Sequence, residues 1–378
     1  MEWSVDPQEA VGLLAECVRV KTANPPGEEA RLAEILARRL GGAGVPVEVH
    51  VLAPGRANLS ARLAGSGGRP ALVLSGHTDT VPPGETPWKE DPWSARVVGD
   101  RLYGLGAADM KSGLAAMVMA LIEIRRAGLR LRGDLVLAAT AGEEVDFIGA
   151  RAFTSTGALA GAGAIVIGEP TCGEVAVAHK GGMRLAVTTA GRTAHGSMPE
   201  RGVNAILRMQ EVIGRLRALR FPAHPRLGAP TLSINTIHGG TAPNVVPDRC
   251  RIEVDLRTVP GHDPNAYLGT VVEAVGDLGF PVDVALAAVA PAVETDADAP
   301  IVQAALDVVE RRPGRPRRVT ALPYVTEGSV YQPALRVPVI ICGPGEPGQA
   351  HQPNEWVAVS HYLDAIRFYA AVAEAYLG

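Results

Sequence analysis

Side chains able to bind metal ions follow four short apolar runs of the 378-residue sequence. The runs are "ALVLSG" at 71–76, "LVLAAT" at 135–140, "AIVIG" at 164–168 and "VPVIIC" at 337–342. The side chains after them, with one acid from "GLGAADMKSG", are His77, Asp79, Asp109, Glu143, Glu144, Glu169 and His351. Imidazole and carboxylate groups are ligands of divalent cations, and imidazole favours zinc. More than four such groups indicate two metal ions about 3.5–4 Å apart, bridged by one carboxylate.

The apolar runs predict the elements that position these side chains. Unbroken runs of this length are typical of strands buried on both faces in a parallel sheet covered by helices. Between the first two runs, "MKSGLAAMVMALIEIRRAG" has apolar residues at helical spacing, which gives a strand, helix and strand. Ligands of open α/β sheets bind outside the carboxyl ends of the strands, so the seven polar residues are expected in one crevice.

The middle of the chain has a different pattern. Apolar and polar residues alternate in "MRLAVTTAG" (183–191), "TLSINTIHGG" (231–240) and "CRIEVDLRTV" (250–259), with helical stretches at about 203–220 and 264–278. Alternation favours antiparallel strands with one open face. We therefore predict a smaller α+β domain at 179–290, inserted between the two parts of an α/β domain at 1–178 and 291–378.

Two local features add to this prediction. "RANLSARL" is either a loop or a further strand, and the sequence leaves both open. The terminal segment "SHYLDAIRFYAAVAEAYL" predicts a helix, with Ser360 as its N-cap, that packs on the first domain.

Composition limits the classes of partner. The chain is 47% apolar and 20% charged with a formal net charge of −4, which is typical of a globular protein and argues against nucleic-acid or membrane surfaces. The acidic first segment has no signal-peptide pattern and no apolar run approaches the roughly 20 residues of a membrane span, so a cytoplasmic location is expected. Four widely spaced cysteines are expected to be buried thiols, forming neither disulfides nor a zinc finger. Small molecules or a second copy remain as partners.

Each candidate ligand also has a simpler interpretation. His77 alone is a hydrogen-bonded histidine at a strand end, and Asp109 alone is a helix cap. The two acids at 143–144 would be a solvated loop, and Glu169 would pair with an arginine. Their joint placement favours a metal site, because independent surface acids have no reason to follow every buried strand.

A set of strings along the chain resembles one enzyme family. The strings, in order, are "SGHTDTVP", "GLGAADMKSGLAA", "AGEEVDFIGAR", "GEPT", "TAHGSMPERGVNAI", "NVVPDRCRIEVDLR" and "CGPGEPGQAHQPNEWV". Together they resemble the co-catalytic metallopeptidases and deacylases that include acetylornithine deacetylase, succinyl-diaminopimelate desuccinylase, aminoacylase-1 and carboxypeptidase G. The resemblance extends from about residue 10 to the C-terminus. It implies a zinc-peptidase-like α/β domain, an inserted ferredoxin-like domain that serves as lid and dimer contact, and a homodimer.

The resemblance also implies roles at the metal site. It implies two divalent metal ions, zinc first with cobalt or manganese as alternatives, held by His77, Glu169, Glu144, His351 and a bridging Asp109. Asp79 would orient the imidazole of His77. Glu143 would be the general base, taking a proton from a water held between the metals so that the hydroxide attacks an amide carbonyl, and later protonating the departing amine.

Residues of the middle segment would complete the site. His195, in "TAHGSMP", matches a family histidine that reaches the active site, commonly that of the partner subunit, and would stabilise the oxyanion. Arg257 could grip the α-carboxylate of the substrate, with Asn244 adding an amide donor, although a cross-strand ion pair and a turn are their simpler roles. Backbone donors of "HGGTAPN", at Gly239 and Gly240, could approach the substrate closely.

The acyl side of the substrate is less defined. Thr326 and Glu327 occupy a position that lines the pocket in relatives, where a negative Glu327 either favours a cationic side chain or is simply exposed. The leading expectation is a deacylase of N-acyl amino acids, of the acetylornithine deacetylase or succinyl-diaminopimelate desuccinylase type. Aminoacylase, dipeptidase or glutamate-type carboxypeptidase activity on a short peptide is the alternative. A non-catalytic protein that binds an amino-acid derivative ranks lower, because it would need no complete metal set and base.

Overall fold

A computed structural model describes residues 3–312 and 316–378 of the chain. In this part of the chain the helices are α1 (Pro7–Arg19), α2 (Glu29–Gly42), α3 (Ser112–Arg126), α4 (Ile148–Thr156), α5 (Ala205–Ala218), α6 (Pro264–Gly276), α7 (Pro300–Glu310), α8 (Gly328–Leu335) and α9 (Val359–Leu377). None of these described helices combines the length and the apolar character needed to cross a membrane.

The strands alternate with these helices in the α/β regions and cluster in the middle of the chain. They are β1 (Val47–Ala53), β2 (Arg56–Leu63), β3 (Ala71–His77), β4 (Arg96–Val98), β5 (Arg101–Tyr103), β6 (Leu135–Thr140), β7 (Ala162–Ile167), β8 (Val175–His179), β9 (Gly181–Ala190), β10 (Thr231–Gly239), β11 (Arg249–Thr258), β12 (Val282–Ala290), β13 (Val293–Glu294), β14 (Val319–Leu322), β15 (Val339–Ile341) and β16 (Trp356–Ala358).

Contacts divide the chain into two compact units. The first takes in the described residues up to Val177, with Thr295–Thr320 and Thr326–Gly378. The second takes in Ala178–Glu294 and Ala321–Val325. The domain limits expected from the sequence, at 178/179 and 290/291, stay predictions.

The first unit is built on a sheet with a parallel centre. Its strand order is β1-β2-β6-β3-β7-β15-β8, in which β6, β3, β7 and β15 run parallel to one another, while β1 pairs with β2, β2 with β6 and β8 with β15 in antiparallel fashion. Every residue of β3 and β6 is buried. Helix α3 packs against both strands, α9 packs against β3, and α4 packs against β6. "RANLSARL" is a strand, β2, so the second of its two interpretations is correct. The predicted α/β class is confirmed.

The second unit is a four-stranded antiparallel sheet with two helices. The strand order is β10-β11-β9-β12, and the chain order β9-α5-β10-β11-α6-β12 is that of a ferredoxin-like domain. Inward residues of β11, such as Ile252 and Val254, pack with Met209 of α5 and Val271 of α6 in one core. The period-2 pattern of the sequence therefore predicts three of the four strands, β9, β10 and β11.

The start of α9 differs from the prediction. Ser360 lies inside the helix and is not its N-cap, because the first turn is capped from outside by Asp100. The backbone carbonyl of Asp100 accepts from the N–H of Val359 at 2.8 Å, and its carboxylate accepts from the N–H of Ser360 at 2.9 Å. The hydroxyl of Ser360 donates to the same carboxylate at 2.5 Å. A side chain remote in sequence thus satisfies the free N–H groups that a local cap would otherwise take.

Candidate active site

The loops after the central strands carry the predicted ligands to one edge of the sheet. His77 is the last residue of β3, Glu144 follows β6, and Glu169 lies two residues beyond β7. His351 lies in the long loop that follows β15, and Asp109 precedes α3. Because β6, β3, β7 and β15 are parallel neighbours, their carboxyl ends meet, and the five side chains converge as the sequence predicts.

The carboxylate of Asp109 lies between the two histidines. One oxygen is 3.2 Å from Nε2 of His77, and the other is 3.4 Å from Nε2 of His351. A carboxylate oxygen of Glu169 lies 3.6 Å from the same nitrogen of His77, and one of Glu144 lies 3.2 Å from that of His351. Donor atoms bound to one tetrahedral zinc at roughly 2.0–2.2 Å are about 3.4 Å apart. The spacing therefore matches two ligand sets that share Asp109.

Charge around this cluster also fits two cations. Burial and the neighbouring carboxylates raise the pKa of Glu143 and of Glu169 well above the ordinary value. Burial lowers the pKa of the His77 imidazole, but the charges of Glu169 and Asp109 outweigh it and raise that pKa. Several acids crowded in a buried place repel one another unless positive charge is added. The donor set and its charge fit two divalent metal ions.

Glu143 and Glu144 lie in a turn, and their side chains approach different partners. Residues 142–146 do not continue the strand, since the N–H groups of Asp146 and Phe147 both donate to the carbonyl of Gly142. A carboxylate oxygen of Glu143 lies within 4.8 Å of donor atoms of His77 and Glu169, whereas Glu144 contacts His351. The two acids therefore diverge because the chain turns here, and not through the alternation of side chains along a strand. Their division into base and ligand stays a prediction.

Asp79 makes different bonds from those expected. Nδ1 of His77 lies 3.0 Å from the backbone carbonyl of Asp79, while the nearer carboxylate oxygen is 3.6 Å away. The carboxylate instead accepts the N–H groups of Gly142, Glu143 and Glu144 at 3.1, 3.1 and 3.3 Å. Asp79 therefore orients the imidazole through its main chain and fixes the glutamate turn through its side chain.

His195 lies at the surface of the second unit. Its Nδ1 accepts the backbone N–H of Ser197 at 3.2 Å and lies 2.7 Å from the hydroxyl of the same serine. A neutral imidazole that accepts at Nδ1 carries its proton on Nε2. The exposed nitrogen is thus a hydrogen-bond donor, which is the form that an oxyanion requires.

The other predicted substrate residues of the second unit lie in two places. Asn244 is next to His195 in space, because its carbonyl accepts the N–H of Gly196 at 2.7 Å. Gly240 follows β10 with a φ of 79°, a conformation that favours glycine. Arg257 forms a two-point ion pair at 2.7 and 3.1 Å with Asp255 of the same strand, β11, which differs from the cross-strand pair that was its simpler role. A substrate carboxylate would have to share this guanidinium with Asp255.

Thr326 and Glu327 are both buried in the first unit. The hydroxyl of Ser75, on β3, donates to Glu327 at 3.0 Å, and the Thr326 hydroxyl accepts the N–H of Gly328 at 3.1 Å. Burial raises the pKa of Glu327 to about 7, while bonds from hydroxyl groups lower it. The interpretation of Glu327 as an exposed residue is wrong, and its contact with substrate stays a prediction.

Comparison with known proteins agrees with this geometry. The model of peptidase family M20/M25/M40 matches residues 73–375, a range that includes every predicted metal ligand. The chain belongs to peptidase family M20/M25/M40. Acetylornithine deacetylase from Salmonella paratyphi B is 36% identical to this M20 chain over 338 residues, which are 87% of the chain and 86% of that protein. The predicted resemblance is confirmed, and the protein is a hydrolytic enzyme.

Solved structures of the M20 family share the fold. The aminopeptidase PepT from Bacillus cereus has a TM-score of 0.81 and 22% identity, covering 99% of this chain and 100% of that one. The YXEP protein of Bacillus subtilis, a dinuclear metal-binding peptidase of the M20 family, has a TM-score of 0.75 and 16% identity, covering 98% of each chain. At these identities the two structures support the fold alone.

Sequence reasoning missed Glu355, which holds the turn of Asp109 in this M20 enzyme. Its carboxylate accepts the N–H groups of Gly106, Ala108 and Asp109 at 2.8, 2.7 and 3.0 Å. Burial raises its pKa to about 8, although these donors favour the charged form. An acid beside an aromatic residue in "PNEWV" carries no periodic signal, so only the folded structure assigns this role.

We expect Glu355→Gln to weaken metal binding by about 10–100-fold, the usual cost of losing a group that supports metal ligands. The amide keeps the shape of the side chain but turns an N–H₂ group towards backbone N–H groups. Metal affinity is measured by equilibrium dialysis, with Glu85→Gln, an exposed acid, as the matched control. Unchanged affinity for both metals in Glu355→Gln would show that the Asp109 turn holds its shape without this carboxylate.

Proposed function

We propose that this M20 enzyme hydrolyses the amide bond of N-acyl amino acids, as an acetylornithine deacetylase or a succinyl-diaminopimelate desuccinylase does. The observation that carries the proposal is Asp109, whose two oxygens lie 3.2 and 3.4 Å from Nε2 of His77 and His351. This arrangement, with Glu143 beside it, suits hydrolysis of an amide. The 36% identity to an acetylornithine deacetylase supports the substrate class.

The residues around the two metal positions divide the work. Two divalent cations, with zinc preferred and cobalt or manganese as alternatives, would lower the pKa of a nearby water and polarise the amide carbonyl when bound. Glu143 removes the proton of the attacking water and delivers it to the departing amine. His77 and Glu169 would hold one cation, Glu144 and His351 the other, and Asp109 would be a ligand of both. Asp79 keeps the Glu143 carboxylate in place through the backbone of its turn.

His195 supplies a hydrogen bond to the oxyanion. The Ser197 N–H fixes the imidazole as an Nε2–H donor, so no proton has to move before it can bind negative charge. In this proposal the enzyme is a homodimer and His195 serves the site of the partner subunit. Light scattering combined with activity assays checks the assembly, and a monomer with full activity would contradict the role across subunits.

Arg257 recognises the α-carboxylate of the substrate, sharing its guanidinium with Asp255. We expect an N-acyl amino acid to exceed its methyl ester in kcat/KM by about 10–100-fold, because a charged hydrogen bond contributes about 1.5–3 kcal/mol. Arg257→Lys should reduce this preference, since an ammonium group lacks the two-point geometry. Arg251→Lys, on the same strand, is the control. Equal kcat/KM for acid and ester in the native enzyme would remove Arg257 from this role.

A substrate panel tests the proposed function directly. The panel contains N-acetyl, N-succinyl and N-formyl amino acids, N-acetylornithine included, together with dipeptides, each assayed with added Zn²⁺ or Co²⁺. We expect hydrolysis of one N-acyl class to dominate. Preferential cleavage of dipeptides would overturn the deacylase proposal and indicate a peptidase, and a metal-loaded protein that cleaves nothing would overturn both.

A further inference from the structure

Three side chains of types that can bind metal converge, and none of them is among the residues assigned to the dinuclear site. They are Cys172, Glu346 and His361, and one donor atom from each lies within 4.8 Å of the other two. The thiol comes from the loop after β7, the carboxylate from the loop after β15, and the imidazole from the first turn of α9. Cys172 is half-buried, in contrast to the prediction of four buried thiols, and the other three cysteines are buried.

The spacing of the donors fits one tetrahedral ion. Sγ of Cys172 lies 3.8 Å from Nδ1 of His361. Zinc bonds of about 2.3 Å to sulfur and 2.0–2.1 Å to nitrogen place these two atoms about 3.6 Å apart. Cys172 and His361 also line a cavity of about 10 Å³, which is near the space that one water-sized group needs. An ion could therefore enter with small side-chain movements.

The backbone holds the three donors in place. The N–H of Cys172 donates to the carbonyl of Gly345 at 2.8 Å, and that of Gly173 donates to Gly343 at 2.9 Å, so the loops that carry the thiol and the carboxylate are bonded to each other. His361 follows Ser360, which Asp100 fixes at the start of α9. Donors on such fixed segments lose little freedom when they bind an ion.

A positively charged side chain also lines this cavity. Arg312 lines the same cavity, and its positive charge opposes a metal ion, so the ligands must bring negative charge. Its Nη2 donates to the carbonyl of Asp364 at 2.7 Å, and the group lies 5.4 Å from the ring centre of Phe368. Glu346 and a thiolate then supply the negative charge that a divalent cation requires.

We propose that Cys172, Glu346 and His361 form a separate binding site for one zinc ion, with water in the fourth position. Binding releases the thiol proton to solvent, because the thiolate is the ligand form of cysteine. The site goes beyond the hydrolytic function and does not depend on it. Since Cys172 is three residues after Glu169 and Glu346 five before His351, zinc here would join the loops that carry both residues.

Cobalt titration distinguishes this site from the dinuclear one. The predicted catalytic ligands are nitrogen and oxygen donors, so a thiolate-to-cobalt charge-transfer band in the near ultraviolet reports only a cysteine site. We expect this band on adding Co²⁺ to metal-free protein, its loss on adding Zn²⁺, and one more bound metal equivalent in the native chain than in Cys172→Ser. Cys17→Ala, which removes a buried thiol of the same unit, should keep both signals.

His361→Gln provides a second variant in which the thiol is retained. We expect the Co²⁺ affinity obtained from titration of the band to fall at least tenfold. The circular dichroism spectrum and the number of other bound metal equivalents should match those of the native chain. A band that is absent at saturating Co²⁺, or that persists unchanged in Cys172→Ser, would overturn the proposal. Neither readout involves substrate, so failure of this site is separable from failure of the hydrolytic function.

Discussion

Replacing Glu143 with alanine is expected to lower kcat by about 10²–10⁴-fold, the usual contribution of a general base, while both metal ions stay bound. The carboxylate of Glu143 lies near His77 and Glu169, and the turn that carries it is held by the carboxylate of Asp79. Removing the side chain therefore leaves the metal ligands and the backbone bonds in place. Metal content is measured by mass spectrometry after dialysis, and kcat with the best substrate of the panel.

The adjacent acid provides the matched control for this prediction. Glu144→Ala removes a carboxylate that contacts Nε2 of His351 at 3.2 Å, and we expect this variant to lose one metal equivalent. The comparison holds the turn, the charge change and the substitution constant. If Glu143→Ala and Glu144→Ala lost metal equally, the assignment of Glu143 as base and Glu144 as ligand would be wrong.

Replacing Asp109 with asparagine is expected to reduce kcat/KM on the order of 10³-fold and to lower the metal content below two equivalents. The amide has nearly the same shape, but it has one oxygen and no charge, so it can no longer face both histidines with an acceptor. A loss of about 4 kcal/mol corresponds to three powers of ten in rate, within the contribution expected of a metal centre. Dialysis against metal buffers followed by activity assays gives both quantities.

Asp298→Asn is the control for charge alone, because Asp298 is an exposed acid remote in sequence from the predicted ligands. It should retain two metal equivalents and native kcat/KM. The bridging role would be refuted by an Asp109→Asn variant that binds two metals with native affinity. In that case each histidine would belong to an independent site.

The sequence is informative about the sheet because the buried parallel strands have no polar face. The apolar runs at 71–76 and 135–140 match β3 and β6 closely, and the alternating segments match β9, β10 and β11. Strands that lack either pattern are not predictable in this way. β12 has a run of small residues, "VDVALAAVA", and the sequence at β2 fitted a loop as well as a strand.

The residues of the candidate site also differ in how well the sequence predicts them. The candidate ligands other than Asp109 are predictable because each follows a recognisable strand, and resemblance to a family supplies the roles proposed for all five. The residues that support the ligands, Glu355 and Asp79, are not predictable in their bonds, because their partners are backbone N–H groups far away in sequence. Glu355 bonds to the turn at Asp109 across 246 residues. The turn at 142–146 is another example, because it is stabilised by bonds to Asp79, which lies 63 residues from Gly142 in the sequence.

The bonds that Asp79 makes bear on how such a site can change over evolution. Its carboxylate holds the turn by main-chain N–H groups, which every amino acid except proline possesses. The side chains at positions 143 and 144 can therefore be exchanged without dismantling their support. One substitution could then remove catalysis from this scaffold and leave a protein that only binds the same ligand, with its architecture inherited intact.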